Sequence, residues 1–100
     1  MKNAFTTHWA TLSDLSSYQL LLIMRARQEV FILEQQCRYL DADHYDEVAY
    51  HGIVWDHNNV DGSAPQIAAY LRVLPPDTKY DRYASFGRVL TTAPSRGSGM

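Results

Sequence analysis

Residues 84–100 read ASFGRVLTTAPSRGSGM. The first nine, ASFGRVLTT, form a strand pattern, and Pro94 and Ser95 break it. Arg96-Gly97-Ser98-Gly99 then reads as a glycine-rich turn. A strand leading into such a turn and a helix N-terminus binds anions, because free backbone N–H groups and the helix dipole converge there. Glycines let the main chain approach a phosphate with no Cβ in the way. A short RGSG run also occurs in flexible tails, so its meaning depends on what precedes it.

Upstream, FTTHWATL reads as a first strand. Ser16 and Gln19 form an S-x-x-Q capping box, flanked by Leu15 and Leu20 as a hydrophobic staple. The helix they start is expected to run to about Glu34. Leu15, Tyr18, Leu22, Ala26, Val30 and Leu33 recur at spacings of three and four and predict one buried stripe. CRYLDADHYDEVAY is polar and reads as a long loop containing at most a helical turn. YHGIVW predicts a strand, DHNNVDGSAP a turn, and QIAAYLRVL the second strand of a hairpin closed by Pro75-Pro76. The order is a strand, a long helical region, then three strands in a meander, with a further helix expected after Gly99.

A chain of 100 residues with formal charge −2 makes one small domain. No Lys/Arg block suggests a nucleic acid or membrane surface as partner. The longest apolar run, Leu20 to Met24, is too short to span a bilayer. The N-terminal residues lack the apolar core of a signal peptide. The single cysteine, Cys37, cannot form an intramolecular disulfide. A cytoplasmic location is the expectation.

Charged groups gather at the end of the helix and in the loop after it: Arg27, Glu29, Glu34, Asp41, Asp43 and Asp46. A solvated helix end explains Glu29 and Asp41. It explains Arg27 and Glu34 less well, because they sit among Met24, Val30, Phe31 and Leu33. Asp41 and Asp43 match the first two ligand positions of a calcium loop. Tyr45, Asp46 and Gly52 then break the pattern, and the reading fails. His44 and His51 have no recognised zinc spacing, so no metal is expected. Cys37 reads as a packed or loop thiol rather than a nucleophile. Arg72 and Arg88 each sit inside an apolar strand. Either a solvent face or a cleft accommodates them.

ARQEVFILEQQCRYLDAD, QIAAYLRVLP and FGRVLTTAPSRGSGM, in this order and spacing, resemble the GNAT N-acetyltransferases and, among them, the ElaA-like group. The resemblance runs from Leu15 to Met100. It implies an α/β (α+β) fold with a mixed sheet, β1-α1(α2)-β2-β3-β4, in which acetyl-coenzyme A lies in a gap beside the fourth strand. It also implies that residues 1–100 are the N-terminal two-thirds of one such domain. Carried over, Val89, Leu90 and Thr91 pair by backbone with the pantetheine arm. Arg96, Gly97, Ser98 and Gly99 hold the pyrophosphate, and the last Gly/Ala of that loop falls at position 101.

The implied reaction is attack of an amine on the thioester carbonyl. It needs a base to take the amine proton and a donor on the carbonyl oxygen. Glu34, Tyr39, Asp43, Asp46, His51, Arg72 and Arg88 are the acceptor-side groups from which a base and its helpers would come. Implied partners are acetyl-coenzyme A, a small-molecule or peptide amine, and a second copy of the chain as a homodimer. The 100 residues alone are expected to be inactive.

Acyl-homoserine-lactone synthases share this fold and show a similar pattern at Arg27-Val30-Phe31, Asp41-Asp43-Tyr45-Asp46 and Arg72-Val73-Leu74-Pro75. They carry a Glu three residues before the fourth-strand Arg, where this chain has Ser85 before Arg88, and this favours the acetyltransferase reading. A non-catalytic interaction module is the alternative from another class.

Overall fold

A computed structural model describes residues 4–58, 65–79 and 82–92. Strand β1, Phe5–Ala10, leads into a single 3-10 turn at Leu12–Asp14 and then helix α1, Ser17–Arg27. The capping box forms as expected: Gln19 N–H donates to Ser16 Oγ at 3.0 Å and Ser16 N–H to Gln19 Oε1 at 2.9 Å. The helix does not stop at Arg27. Gln28–Glu34 continues as a π-helix, and Gln36 ends it with φ 56° while Cys37 N–H reaches back to the Phe31 carbonyl at 2.8 Å. The helical region thus ends at Glu34, as the sequence predicts, but in two conformations.

The buried stripe differs from the expected one. Leu22, Ala26 and Val30 are buried, but Tyr18 and Leu33 are 52% and 71% exposed. Ile23, Arg27 and Phe31 are buried instead. The buried positions therefore fall in adjacent pairs four residues apart. A regular α-helix would rotate such pairs steadily off the core. The wider π-turns offset that rotation, bringing Val30 and Phe31 in and carrying Leu33 out.

Strands β2, Tyr50–Asp56, β3, Gln66–Leu74, and β4, Ser85–Thr91, match their predicted positions. The sheet order is β1-β2-β3-β4. Every ladder among the described residues is antiparallel, so the sheet expected as mixed is antiparallel over these four strands and the class is α+β. Leu22, Ile23, Ala26, Val30 and Phe31 pack on one sheet face against Ile53, Trp55, Ile67, Tyr70 and Leu90.

Two bulges interrupt the pairing. Val54 pairs with Ala69 but Trp55 with Ile67, so Ala68 is the extra residue of β3. Its carbonyl accepts from Thr92 N–H at 3.0 Å. On β4 the ladder passes from Tyr70–Leu90 to Arg72–Gly87, so Arg88 and Val89 together oppose Leu71 alone. Without this insertion Gly87 and Leu90 would point to opposite faces. With it, Gly87 stays opposite Arg72 while Leu90 reaches the core.

The other sheet face carries Trp9 laid over Gly52, where a Cβ would come within 2.6 Å of the indole. Beside it lies an apolar recess lined by Trp9, Leu71, Val73, Ala84, Ser85 and Phe86. Among the described strands β4 is an outer edge, with Phe86 74% and Val89 55% exposed. An apolar strand edge templates pairing with another chain. A polypeptide of these 100 residues is therefore expected to self-associate through β4, and Val89→Lys to weaken the association. A stable monomer in sedimentation at high concentration would rule this out.

Candidate functional site

Asp43 and Asp46 shape the loop after the π-helix. Asp43 accepts from Tyr45 N–H at 3.1 Å, and Asp43 N–H donates to Asp46 Oδ2 at 3.0 Å. This reciprocal cap starts the 3-10 turn His44–Glu47. Asp41, Asp43 and Asp46 are thereby presented to three arginines from three other elements.

Arg27, at the end of α1, is fully buried. Its Nε donates to Asp41 Oδ2 at 3.0 Å, Nη1 to Asp46 Oδ1 at 2.7 Å, and Nη2 to the Asp41 carbonyl and Asp46 Oδ2. Arg72, on β3, forks onto Asp43 at 2.7 and 3.1 Å and reaches Asp46 Oδ1 at 3.1 Å. Arg88, at the β4 bulge, donates from Nη2 to the Asp41 carbonyl at 3.1 Å and to Asp43 Oδ2 at 3.3 Å. Arg88 Nε also lies 3.0 Å from Asp41 Oδ1, yet the two are misaligned and neither makes a hydrogen bond there. Each guanidinium also faces a tyrosine: Arg27 over Tyr70 at 5.7 Å, Arg72 over Tyr45 at 5.8 Å, Arg88 over Tyr39 at 4.6 Å. Three cations and three carboxylates leave the cluster formally neutral.

Burial opposes charge throughout this cluster, and pairing wins. For Asp46, burial is outweighed by the Arg27 hydrogen bond, the Asp43 backbone donor and Arg72, and its carboxyl titrates below the ordinary range. Asp43 is likewise lowered, with Arg72 overcoming burial. Arg27 and Arg72 are raised, burial being overcome by Asp46 for Arg27 and by Asp43 and Asp46 for Arg72.

His51, on β2, is fully buried. Its Nε2 lies 3.1 Å from the Asp46 carbonyl, which can only accept, so Nε2 carries the proton. Nδ1 must then accept from the Tyr70 hydroxyl, 2.6 Å away. Burial, followed by Arg27 and Arg72, holds the imidazole below its usual pKa. Burial pushes the Tyr70 hydroxyl up to about 12.

The fold thus brings together five of the groups singled out in the sequence: Asp43, Asp46, His51, Arg72 and Arg88. It joins to them Arg27 and Asp41, which the sequence marked as charges at the helix end but not as acceptor-side groups, and Tyr70, which it did not mark; Tyr39 stacks on Arg88 at the rim. Glu34 is the exposed last residue of the π-helix. Val89, Leu90 and Thr91 lie at and just beyond the bulge, with Leu90 in the core and Val89 outward. Arg96, Gly97, Ser98 and Gly99 lie outside the described residues. Among the described residues no helix is long and apolar enough to cross a membrane.

Residues 23–94 match the family model of the acetyltransferase (GNAT) domain. The chain belongs to the GNAT acetyltransferase family. A curated relative, UPF0039 protein sll0451 of Synechocystis, is 40% identical over 91% of this chain and 54% of its own length. The fold is similar to an acyl-CoA N-acyltransferase of Pseudomonas aeruginosa (TM-score 0.79, 32% identity, 95% of this chain and 61% of that one). It is also similar to Escherichia coli ElaA (TM-score 0.77, 28% identity, 93% and 59%). A putative N-acetyltransferase of Lactobacillus plantarum shares the fold at TM-score 0.64 and 23% identity, over 97% and 59%. The chain spans 54–61% of the length of these relatives.

Proposed function

We propose that the protein carrying this domain transfers an acetyl group from acetyl-coenzyme A to an amine, as an ElaA-like N-acetyltransferase, in the cytoplasm. The observation that carries the reading is the β4 bulge. It takes Arg88 and Val89 out of register with β3 on the outermost described strand. The RGSG sequence follows a few residues later in the chain. Strand backbone freed from its ladder needs another partner. An extended amide chain such as pantetheine supplies one. A Cβ at Gly87 would meet nothing within 4 Å, so there is open space beside the strand at this point.

Val89, Leu90 and Thr91 would then pair with the pantetheine arm and Arg96–Gly99 with the pyrophosphate. A backbone N–H of β4 would polarise the thioester carbonyl. The amine nitrogen bonds to the acetyl carbon, the C–S bond breaks, and the sulfur leaves as a thiolate that must be protonated. The amine proton has to go to a base or a water relay. His51 is ill suited to that task, since its unprotonated nitrogen already accepts the Tyr70 hydroxyl hydrogen bond and the ring is sealed from solvent. Asp43, Arg72 and Arg88 are engaged with one another. Their proposed role is to frame the acceptor side of β4.

Calorimetric titration of the protein, including the rest of its reading frame, with acetyl-coenzyme A tests this reading. Micromolar binding is expected. Gly99→Pro removes a backbone donor and fixes φ, and should weaken binding by about ten- to hundredfold with the fold intact, the loss of one bond to a charged group being about 1.5–3 kcal/mol. Absence of binding by the wild type would favour a non-catalytic interaction module.

A further inference from the structure

Arg88 holds a backbone conformation that residues with a Cβ avoid. Its φ is 55°, in the left-handed region. The neighbouring glycine, Gly87, does not take that role: its φ lies outside the positive range. The chain therefore places a glycine beside the strained position and an arginine on it, so something other than intrinsic preference must hold Arg88 there.

The contacts on its guanidinium come from one short segment. The Asp41 carbonyl and the Asp43 carboxylate accept from Nη2, the Asp41 carboxylate lies 3.0 Å from Nε, and the Tyr39 ring lies 4.6 Å beneath. That segment is itself fixed from behind, Asp41 by the buried Arg27 and Asp43 by Arg72. The side chain is only 16% exposed, and carboxylates already offset its charge, which leaves it poorly placed to bind an anion itself.

We propose that Arg88 is a positioning residue: the grip of Asp41, Asp43 and Tyr39 on its guanidinium keeps β4 in the left-handed bulge that turns the Arg88–Val89 main chain away from β3 and toward acetyl-coenzyme A. Its effect on affinity rests on the acetyltransferase reading. Its effect on the backbone does not.

Arg88→Ala and Arg88→Gly form a matched pair for the test. Both remove the guanidinium and leave the same carboxylates, so they share every electrostatic change. They differ only by a Cβ, and glycine adopts positive φ about as readily as negative. In the full protein, the Val89 and Leu90 amide resonances should shift or broaden with Arg88→Ala and stay near wild type with Arg88→Gly. Affinity for acetyl-coenzyme A should fall about tenfold with Ala, as the competent conformer loses population, and less than about threefold with Gly.

Equal loss of affinity in both variants, with Val89 and Leu90 unperturbed by Gly, would overturn the proposal by showing that the guanidinium acts on the ligand directly. Wild-type behaviour in both would overturn it too. If the wild type does not bind acetyl-coenzyme A, the functional reading fails, and the resonances alone decide: identical spectra for Ala and Gly refute positioning. Should both variants unfold, Tyr39→Leu, on a half-exposed ring, keeps all charges. It should move the Val89 resonance, and an unmoved resonance counts against the proposal.

Discussion

Arg27→Met should lower the melting temperature by about 15 °C or more, the largest single-residue loss of stability expected in this fold. The side chain is fully buried and donates to Asp41 and Asp46 through all three of its nitrogens. Methionine fills much of the space but takes the fully buried cation from two nearly buried carboxylates, leaving Arg72 as the one cation bonded to Asp46 and Arg88, misaligned, beside Asp41. Breaking a buried pair from one side costs about 3–5 kcal/mol, because the remaining charge keeps its desolvation penalty. The same reasoning predicts non-additivity. Asp46→Asn in the Arg27→Met background should cost much less than in the wild type, since the carboxylate it removes is then a liability. Thermal denaturation of the two single variants and the double variant measures the coupling. Additive losses would mean that the cluster is solvated rather than buried.

The elements were legible in the sequence because each carries its own local signal. The Ser16–Gln19 cap fixed the start of α1, and the strands were bounded by Pro75-Pro76 and by the DHNNVDGSAP turn. What stayed hidden depends on single-residue insertions. The π-turns after Arg27 change which residues face the core, yet Leu33 and Phe31 are equally apolar, so composition cannot tell them apart. The β4 bulge is hidden for the same reason: in SFGRVLT both alternations look acceptable. The bulge becomes visible only when Leu90 must reach the core while Gly87 stays opposite Arg72.

The candidate site was legible as residue types but not as partners. Arg27 and Arg72 stood out as charges inside apolar patterns, and both are buried, as is His51, which the sequence marked only as an acceptor-side group. Burial without a partner is expensive, so the acids of DADHYD were the natural counterions. The D-x-x-D spacing of Asp43 and Asp46 is itself a capping signal. Read as one, it places Asp41, Asp43 and Asp46 on a rigid turn rather than in a loose acidic loop. Which arginine takes which aspartate required the sheet register. The pairing of His51 with Tyr70 did too, since they lie on neighbouring strands, Tyr70 two residues from Arg72, which is directly opposite His51.

The same pairing predicts how the domain fails in acid, in two stages. The pKa of His51 in the folded state lies below its unfolded value of 6.5. Between those two values the unfolded chain binds the proton and the folded one does not, so stability is full above about pH 6.5 and falls as the pH drops below it. The slope from one such group is at most about 1.4 kcal/mol per pH unit. Asp43 and Asp46 are also depressed, from an unfolded value of 3.8. Their contribution is intact above that value and is lost as pH falls through their folded pKa values, where protonation removes the counterions of Arg27 and Arg72. Urea midpoints should therefore decline from pH 7 toward 5, and again below about 4. His51→Gln separates the stages. Its amide can accept from the Tyr70 hydroxyl and donate to the Asp46 carbonyl without titrating, so the decline between pH 7 and 5 should vanish while the one below pH 4 remains. A flat urea midpoint between pH 7 and 5 in the wild type would show that protonated His51 is accommodated in the folded state, and with it that Nδ1 is not committed to Tyr70.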